Sequence, residues 1–370
     1  MKIDSLPFYI QYCKTSNNPL GFPNSMAFAC EFNPEIGALI QIPKKKIIKT
    51  LEKVYRTSSM LGTPLSDDPF GKPCADDFIK FIKKFKKTNH SNVLEIGAGV
   101  GYLVRRFLDL GWKVTGVEPG KGYIPYWKKY DVNIINDFFP NPHTLGPYDL
   151  IYSYGVLEHI LHPVEFLMQI KSKLTQGGIA ILAVPDCSDE IIDADPAILV
   201  HEHFTYFNRE TLISMLWRAG LKAKVFKSGY SRLLYAVVEI RENNINKEKR
   251  TDIALLKSYP QRTKNFLIQM RQKLRQLAKA GSLGIYCPGR ALSVLDFDLP
   301  VRFFDDDMRL KGKYLPPFVS PIEGPDSLLL KPVDIIVVMS RTFGDRIRNN
   351  LKKRGYNGIV FTVKELMVTT

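Results

Sequence analysis

Val93-Leu94-Glu95-Ile96-Gly97-Ala98-Gly99-Val100-Gly101 is an apolar strand that carries one acid and runs into three glycines at alternate positions, with a helical pattern opening from Gly101. Glycines at such a turn let backbone approach a ligand closely, and the helix start offers unpaired N–H groups to a polar or anionic group. The spacing argues against a dinucleotide: G-x-G-x-x-G would need glycine at position 102, which is Tyr102. An acid directly ahead of the turn would also repel a pyrophosphate.

Outward from this turn, apolar β-type runs alternate with helical patterns. Strands are expected at 92–96, 113–117, 132–135, 149–154 and 178–184, with helices from Gly101 and Pro163. Nearly continuous apolar strands alternating with helices predict a parallel sheet covered on both faces. A further helix over 208–219, capped by Asn208 and stopped by Gly220, leads to runs at 221–227 and 233–239 suited to an antiparallel edge. Ahead of the turn, Phe78, Phe81, Ile82 and Phe85 mark an amphipathic helix over 75–87 whose outer faces carry lysines.

Doubly wound sheets bind ligands at the carboxyl ends of their strands, and here those ends carry acids. Glu118 follows the second strand, where a carboxylate can accept both hydroxyls of a ribose. Asp137 with Phe138 follows the third, suited to an adenine amine and ring. Ser153 lies near the end of the fourth. Glu95 suits the amino group of the methionine moiety of S-adenosylmethionine.

These residues resemble the class I S-adenosylmethionine-dependent methyltransferases. Glu95 with Gly97, Gly99 and Gly101, then Glu118, Asp137 and Gly155-Val156-Leu157-Glu158-His159-Ile160, match that family's motifs in order and spacing across about 90–240. The resemblance implies a Rossmann-like sheet and S-adenosylmethionine as cofactor, held by those residues together with Phe138 and Ser153. It implies for Glu158-His159 mainly a part in supporting the fold and the cofactor pocket.

A second stretch, Val200-His201-Glu202-His203-Phe204-Thr205-Tyr206-Phe207, suggests an acid/base pair or metal ligands. Adjacent residues rarely converge on one ion, so zinc is not expected here, and a His beside a Glu is placed to act as a general base. Glu202, His203, Tyr206 and Phe207 resemble the Glu-His-x-x-Tyr-Phe segment of the three-part sugar C-methyltransferases, which act on nucleotide-linked deoxysugars. Tyr55, Ser58 and Ser59 resemble their Tyr-x-x-Ser-Ser element, and Asp305-Asp306-Asp307 with Lys311-Gly312-Lys313-Tyr314-Leu315-Pro316 their C-terminal signature. The resemblance implies that His203 removes a proton alpha to a keto group, with Glu202, Tyr55 and Tyr206 beside it. The family's N-terminal zinc knuckle needs two C-x-x-C pairs, whereas this chain offers Cys13 and Cys30 near Gln11 and Asn33, so no metal is expected. Val200 stands where that family carries a tyrosine, and Gly229-Tyr230-Ser231-Arg232 replaces a Gly-Gly-Ser-x-Arg loop, which leaves O-methylation as the alternative chemistry.

The 370 residues are 45% hydrophobic and 11% aromatic, enough for buried cores and too much for a disordered chain. Four parts are expected: an irregular, substrate-shaping lobe over 1–70, the methyltransferase domain over 71–240, a basic helical connector over 241–280 and a second, smaller Rossmann-like α/β domain over 281–370. No run of apolar residues is long enough to span a membrane, the start lacks a leader's apolar core, and five scattered cysteines do not suggest a disulfide framework, so a cytoplasmic location is expected. The formal net charge of +15 permits a nucleic-acid substrate. Eleven basic residues against three acidic fall within the connector alone, no RNA-binding module is recognised, and the charge reads as solvated helical faces. A nucleotide-linked sugar is the expected acceptor. Another small molecule or a nucleic acid is the less favoured one, a non-catalytic cofactor-binding scaffold is the non-enzymatic alternative, and the oligomeric state is left open.

Overall fold

The computed structural model describes all residues except 9–11, 18–21, 58–64, 70, 86–91, 242–252, 291–292, 342 and 369–370. Ser58, Ser59, Gln11 and part of the basic connector lie outside the described residues. In chain order the elements are β1 (Lys2–Pro7), β2 (Ser25–Asn33), β3 (Ala38–Gln41), α1 (Lys45–Thr57), α2 (Gly71–Phe85), β4 (Asn92–Ile96), α3 (Tyr102–Asp109), β5 (Lys113–Val117), α4 (Ile124–Tyr130), β6 (Ile134–Ile135), β7 (Tyr148–Tyr154), α5 (Pro163–Lys173), β8 (Leu174–Pro185) and α6 (Ser188–Asp193). They continue with β9 (Thr205–Tyr206), α7 (Arg209–Arg218), β10 (Leu221–Lys227), β11 (Leu233–Ile240), α8 (Ile253–Ala280), β12 (Leu283–Tyr286), β13 (Val301–Phe304), β14 (Ile322–Glu323), α9 (Pro325–Leu330), β15 (Ile335–Val338), α10 (Gly344–Lys353), β16 (Ile359–Thr362) and α11 (Val363–Val368).

The chain divides into two compact units. One comprises residues 30–191 and 202–257, and is built on a seven-stranded sheet of order β10-β11-β8-β7-β4-β5-β6. Strands β8, β7, β4, β5 and β6 run parallel, β11 is antiparallel to β8, and β10 is antiparallel to β11. Alternation along each strand sends its residues to two cores. Leu94, Ile151 and Leu182 face a cluster with Leu167 and Ile170 of α5 and Leu212 and Leu216 of α7. Val93, Leu150 and Ile181 face the other, with Phe78 and Ile82 of α2 and Leu103 and Phe107 of α3. Full burial of each such side chain contributes about 1.5–3 kcal/mol relative to exposure. This is the Rossmann-like, doubly covered sheet that the strand pattern predicts.

Local signals set the element ends. Asn208 accepts a hydrogen bond from the Thr211 N–H at 2.8 Å and starts α7, and Gly220, at φ +74°, follows its end. In α2, Phe78, Phe81 and Ile82 are buried while Lys80, Lys83 and Lys84 are exposed. The Asp77 carboxylate accepts from Ser228 Oγ at 2.8 Å, Gly229 N at 3.1 Å and Tyr235 Oη at 2.9 Å, which ties α2 to the β10–β11 turn. That turn is the Gly229-Tyr230-Ser231-Arg232 loop, and a Cβ at Gly229 would stand 2.7 Å from Asp77 Oδ1.

The irregular lobe expected over 1–70 instead holds strands β1, β2 and β3 and the helix α1. The missed signal in α1 is Ile47, Leu51 and Val54, which recur at i, i+4 and i+7 and are all buried. In the first unit, β3 pairs with residues 30–33 of β2 and with β9.

The other unit comprises residues 1–29, 192–201 and 258–370. Its five-stranded sheet, order β14-β13-β12-β15-β16, is parallel throughout and packs on Leu328, Ile347 and Leu351 of its helices, a second α/β arrangement. Arg341 bridges Asp193 at 2.7 Å and Asp195 at 2.9 Å, and Tyr259 donates to the Asp195 carbonyl at 2.8 Å. Among the described residues no helix is long and apolar enough to cross a membrane.

Candidate active site

The chain leaves β4 outward to β5 and β6 on one side, and β7 takes the other. The crevice at the carboxyl ends of β4 and β7 is therefore where a ligand enters such a sheet. Gly97, Gly99 and Gly101 all hold positive φ (+76°, +50° and +82°), which side-chain-bearing residues rarely adopt. Their surroundings differ. A Cβ at Gly97 would come 2.5 Å from Val156 Cγ2 and one at Gly101 2.8 Å from Val132 Cγ2, whereas one at Gly99 meets nothing within 4 Å. The glycines at 97 and 101 serve packing, and Gly99 opens onto space. The Trp127 indole N–H pins this segment by donating to the Gly99 carbonyl at 2.8 Å.

Glu118, at the end of β5, accepts from the Gly99 N–H at 3.0 Å and the Gly120 N–H at 2.9 Å, one with each carboxylate oxygen. Burial pushes its acid up and these two N–H groups pull it back. Asn136 Nδ2 donates to the Glu118 carbonyl at 2.9 Å. Glu95 is enclosed, its Oε2 accepting from Tyr152 Oη at 3.0 Å, and burial drives its carboxyl well above the usual range. Half-buried Asp137 accepts from the Phe138 N–H, and the Arg56 guanidinium covers one face of the Phe138 ring at 4.7 Å. Ser153 is fully buried near the end of β7, and its Oγ has no hydrogen-bond partner among the described residues. An open glycine and an orphaned hydroxyl in one crevice fit a bound polar ligand that supplies the missing partner.

Beside this crevice a second group assembles from three segments. Tyr55 of α1 places Oη 3.1 Å from His159 Nδ1, which also lies 3.1 Å from the Glu202 carbonyl. The His159 and His203 rings meet edge to face at 4.9 Å between centroids, and Tyr206 of β9, fully buried, lies 6.4 Å from His203. Backbone and amide bonds fix the segments: Phe204 N donates to the Glu158 carbonyl at 2.7 Å, Gln41 N to the Phe204 carbonyl at 3.0 Å and Gln41 Nε2 to the His203 carbonyl at 3.2 Å. Burial lowers His159 to about 4 and, with the neighbouring His159, takes His203 well below its usual value, so both imidazoles are neutral at pH 7. Burial, then the charges of Glu202 and Glu158, hold the Tyr55 phenol well above its ordinary range.

Of the residues expected on the acceptor side, Tyr55, His203 and Tyr206 converge, and Glu202 contributes its carbonyl. His201 belongs to the other unit, where it packs 5.5 Å from both Phe8 and Phe28, with Nε2 3.3 Å from the Leu6 carbonyl. His159 and Arg56 are the additions. The sign of His159 in the sequence is a Glu-His pair just past a strand's carboxyl end, whereas Arg56 carries no sign beyond adjacency to Tyr55. None of the five cysteines is in a disulfide; Cys30 is buried, which pushes its thiol up to about 12. In the C-terminal sheet the acidic run forms the turn after β13, where Asp306 accepts from Tyr286 Oη at 2.8 Å and Asp307 pairs with Arg309.

Residues 71–224 match the family profile described as "Methyltransferase domain". The chain is 26% identical over 171 residues to a tRNA U34 carboxymethyltransferase of Idiomarina loihiensis, covering 43% of this chain and 51% of that protein. It is 27% identical over 143 residues to one of Glaesserella parasuis, covering 35% and 45%. The chain thus spans about half the length of the curated relatives it matches. Among solved structures, the "DhpI-SAH complex structure" overlaps 54% of this chain and all of that one at 17% identity and a TM-score of 0.40. Residues 71–224, which carry the glycine turn, Glu118, Asp137 and Ser153, are thus similar to a methyltransferase domain.

Proposed function

We propose that the protein transfers a methyl group from S-adenosylmethionine to a nucleotide-linked sugar, with Tyr55, His159, Glu202 and His203 on the acceptor side. The observation that carries this reading is the adjacency of the two groups. Val156, which touches the glycine turn at Gly97, lies only two residues before Glu158-His159. Gly99, Glu118 and Ser153 would hold the cofactor, with Asp137 and Phe138 toward its adenine, while Gly97 and Gly101 let the turn pack and Glu95 is held by Tyr152. S-Adenosylmethionine supplies an electrophilic methyl on a sulfonium, which leaves with the S–C electron pair retained on sulfur.

His203 is neutral in its buried setting and so has a lone pair to accept a proton. Removal of a C–H proton alpha to a keto group leaves an enolate whose carbon takes the methyl; removal of an O–H proton gives the O-methylated product instead. Tyr55, kept protonated, and the Glu202 carbonyl orient His159 beside the base. The test is release of S-adenosylhomocysteine with a panel of nucleotide-linked sugars. His203→Ala is expected to lose turnover by at least about 100-fold with cofactor affinity unchanged. Full turnover in that variant would remove His203 as the base.

A second reading, action on an RNA, is favoured by the relatives named as tRNA U34 carboxymethyltransferases. Incubation with tRNA in place of the sugars separates the two, because product appears in one arm only.

A further inference from the structure

We propose that Glu158, His159 and His203 form a binding site for one borderline first-row divalent metal ion, of which Zn2+ is the type. Among the described residues these three side chains each offer a ligand atom, and the three atoms lie within 4.8 Å of one another. The set was hidden in the sequence because 43 residues separate His159 from Glu202 and its neighbour His203.

The tautomer of His159 is the first argument. Its Nδ1 lies 3.1 Å from both the Glu202 carbonyl, which can only accept, and Tyr55 Oη, which can donate or accept, and we assign the hydrogen to Nδ1, the tautomer that gives the carbonyl a donor. The Nε2 lone pair is then turned toward Glu158, 3.8 Å from Oε1. A ring N–H given to a backbone carbonyl, with the other nitrogen left bare, is how proteins orient a metal-ligating histidine. The second argument is Glu158 itself. It is 2% exposed, and its Oε2 has no hydrogen-bond partner among the described residues. Burial raises the Glu158 acid to about 8, so a cation bound between Glu158 and the His159 ring would take the place of the proton that the carboxyl otherwise keeps there.

Two imidazole nitrogens and a carboxylate oxygen suit zinc and its neighbours better than magnesium or calcium. Ligands about 2.1 Å from a tetrahedral ion stand about 3.4 Å apart, so with atoms within 4.8 Å of one another no pair needs to close by more than about 1.4 Å. The site requires Glu158 and His203 to close that gap by side-chain rotation about the His159 ring. Three protein ligands leave a fourth position open.

The consequence concerns the lone pairs. An ion on His203 occupies the electron pair that would otherwise accept a proton, so metal loading and proton acceptance are alternatives at this residue. The site itself stands on side-chain geometry and does not need the sugar reading to hold.

The experiment uses the full chain, stripped with a chelator and dialysed, and titrated with Co2+ by visible absorption and with Zn2+ by calorimetry. One equivalent is expected to bind, with d–d bands of a nitrogen- and oxygen-ligated Co2+. Glu158→Gln and His203→Ala are each expected to weaken Zn2+ by at least about tenfold and to remove the bands. His143→Ala, an exposed histidine elsewhere in the same unit, is expected to behave as the parent chain. Circular dichroism of each variant and its affinity for S-adenosylmethionine show that the chain has folded. Absence of one-equivalent binding in the parent chain, or unchanged binding in both folded variants, overturns the site. Loss of S-adenosylmethionine binding in the parent chain bears on the methyltransferase reading instead.

Discussion

At the scale of single residues, the three glycines of the turn look alike in the sequence and differ in what surrounds them. Gly97→Ala adds a Cβ within 2.5 Å of Val156 at a positive φ, so it is expected to destabilise the domain by at least about 2 kcal/mol in denaturant unfolding. Gly99→Ala meets no neighbour within 4 Å and is expected to cost only the backbone strain, about 1–2 kcal/mol, while weakening cofactor binding more than Gly97→Ala does once folded. Equal effects on both properties would show that Gly99 does not face the ligand. Glu95 illustrates a different limit of sequence reading. An acid at the end of a strand ahead of a glycine turn is readily seen, but whether its carboxylate meets a ligand or a partner across the sheet depends on Tyr152, 57 residues further on. Glu95→Gln keeps an acceptor for that hydroxyl and is expected to be mild. Glu95→Ala strands Tyr152 Oη and is expected to cost about 1–3 kcal/mol, read by the shift in unfolding midpoint.

At the scale of elements, the periodic helices and apolar strands were legible because one physical signal, the spacing of buried side chains, fixes both their type and their inward faces. Strand β4 and the Asn208 cap of α7 are the clearest instances. Helix α1 carries the same signal in Ile47, Leu51 and Val54, but only three apolar positions show it among the lysines Lys45, Lys46, Lys49 and Lys53. Its side chains Tyr55 and Arg56 reach His159 and Phe138, so an element unread in the sequence helps to shape the site. Contacts made between distant segments leave no local trace: nothing near Asp77 announces Ser228 and Tyr235 as its donors. Asp77→Ala is expected to lower stability by about 1–3 kcal/mol by leaving those donors without this acceptor, and Asn208→Ala by about 0.5–2 kcal/mol through loss of the cap. Chemical denaturation of the two single variants checks both, and a neutral result for Asp77→Ala would mean that α2 is held to the sheet by apolar packing alone.

At the scale of the whole molecule, the net charge of +15 acquires a simpler meaning once its carriers are placed. Lys80, Lys83 and Lys84 lie on the exposed side of α2, and Lys264, Arg275 and Lys279 are exposed along α8. Helices whose other faces are buried need such solvated residues whatever the substrate. Nucleic-acid binding through them would be electrostatic and lost with salt; a sequence-blind, salt-sensitive gel shift is the most that these faces are expected to give, and tight binding that persists at high salt would favour the RNA reading. The parallel sheet and its glycine turn mark the crevice on fold grounds, whereas the proposed acceptor side is made of side chains gathered from α1, the segment after β7 and the segment before β9. The most direct measurement is therefore calorimetric titration of the full chain with S-adenosylmethionine and S-adenosylhomocysteine. The account predicts one-to-one binding of both, weakened by Gly99→Ala and by Glu118→Ala and retained in His203→Ala. No binding of either by the folded chain would contradict it.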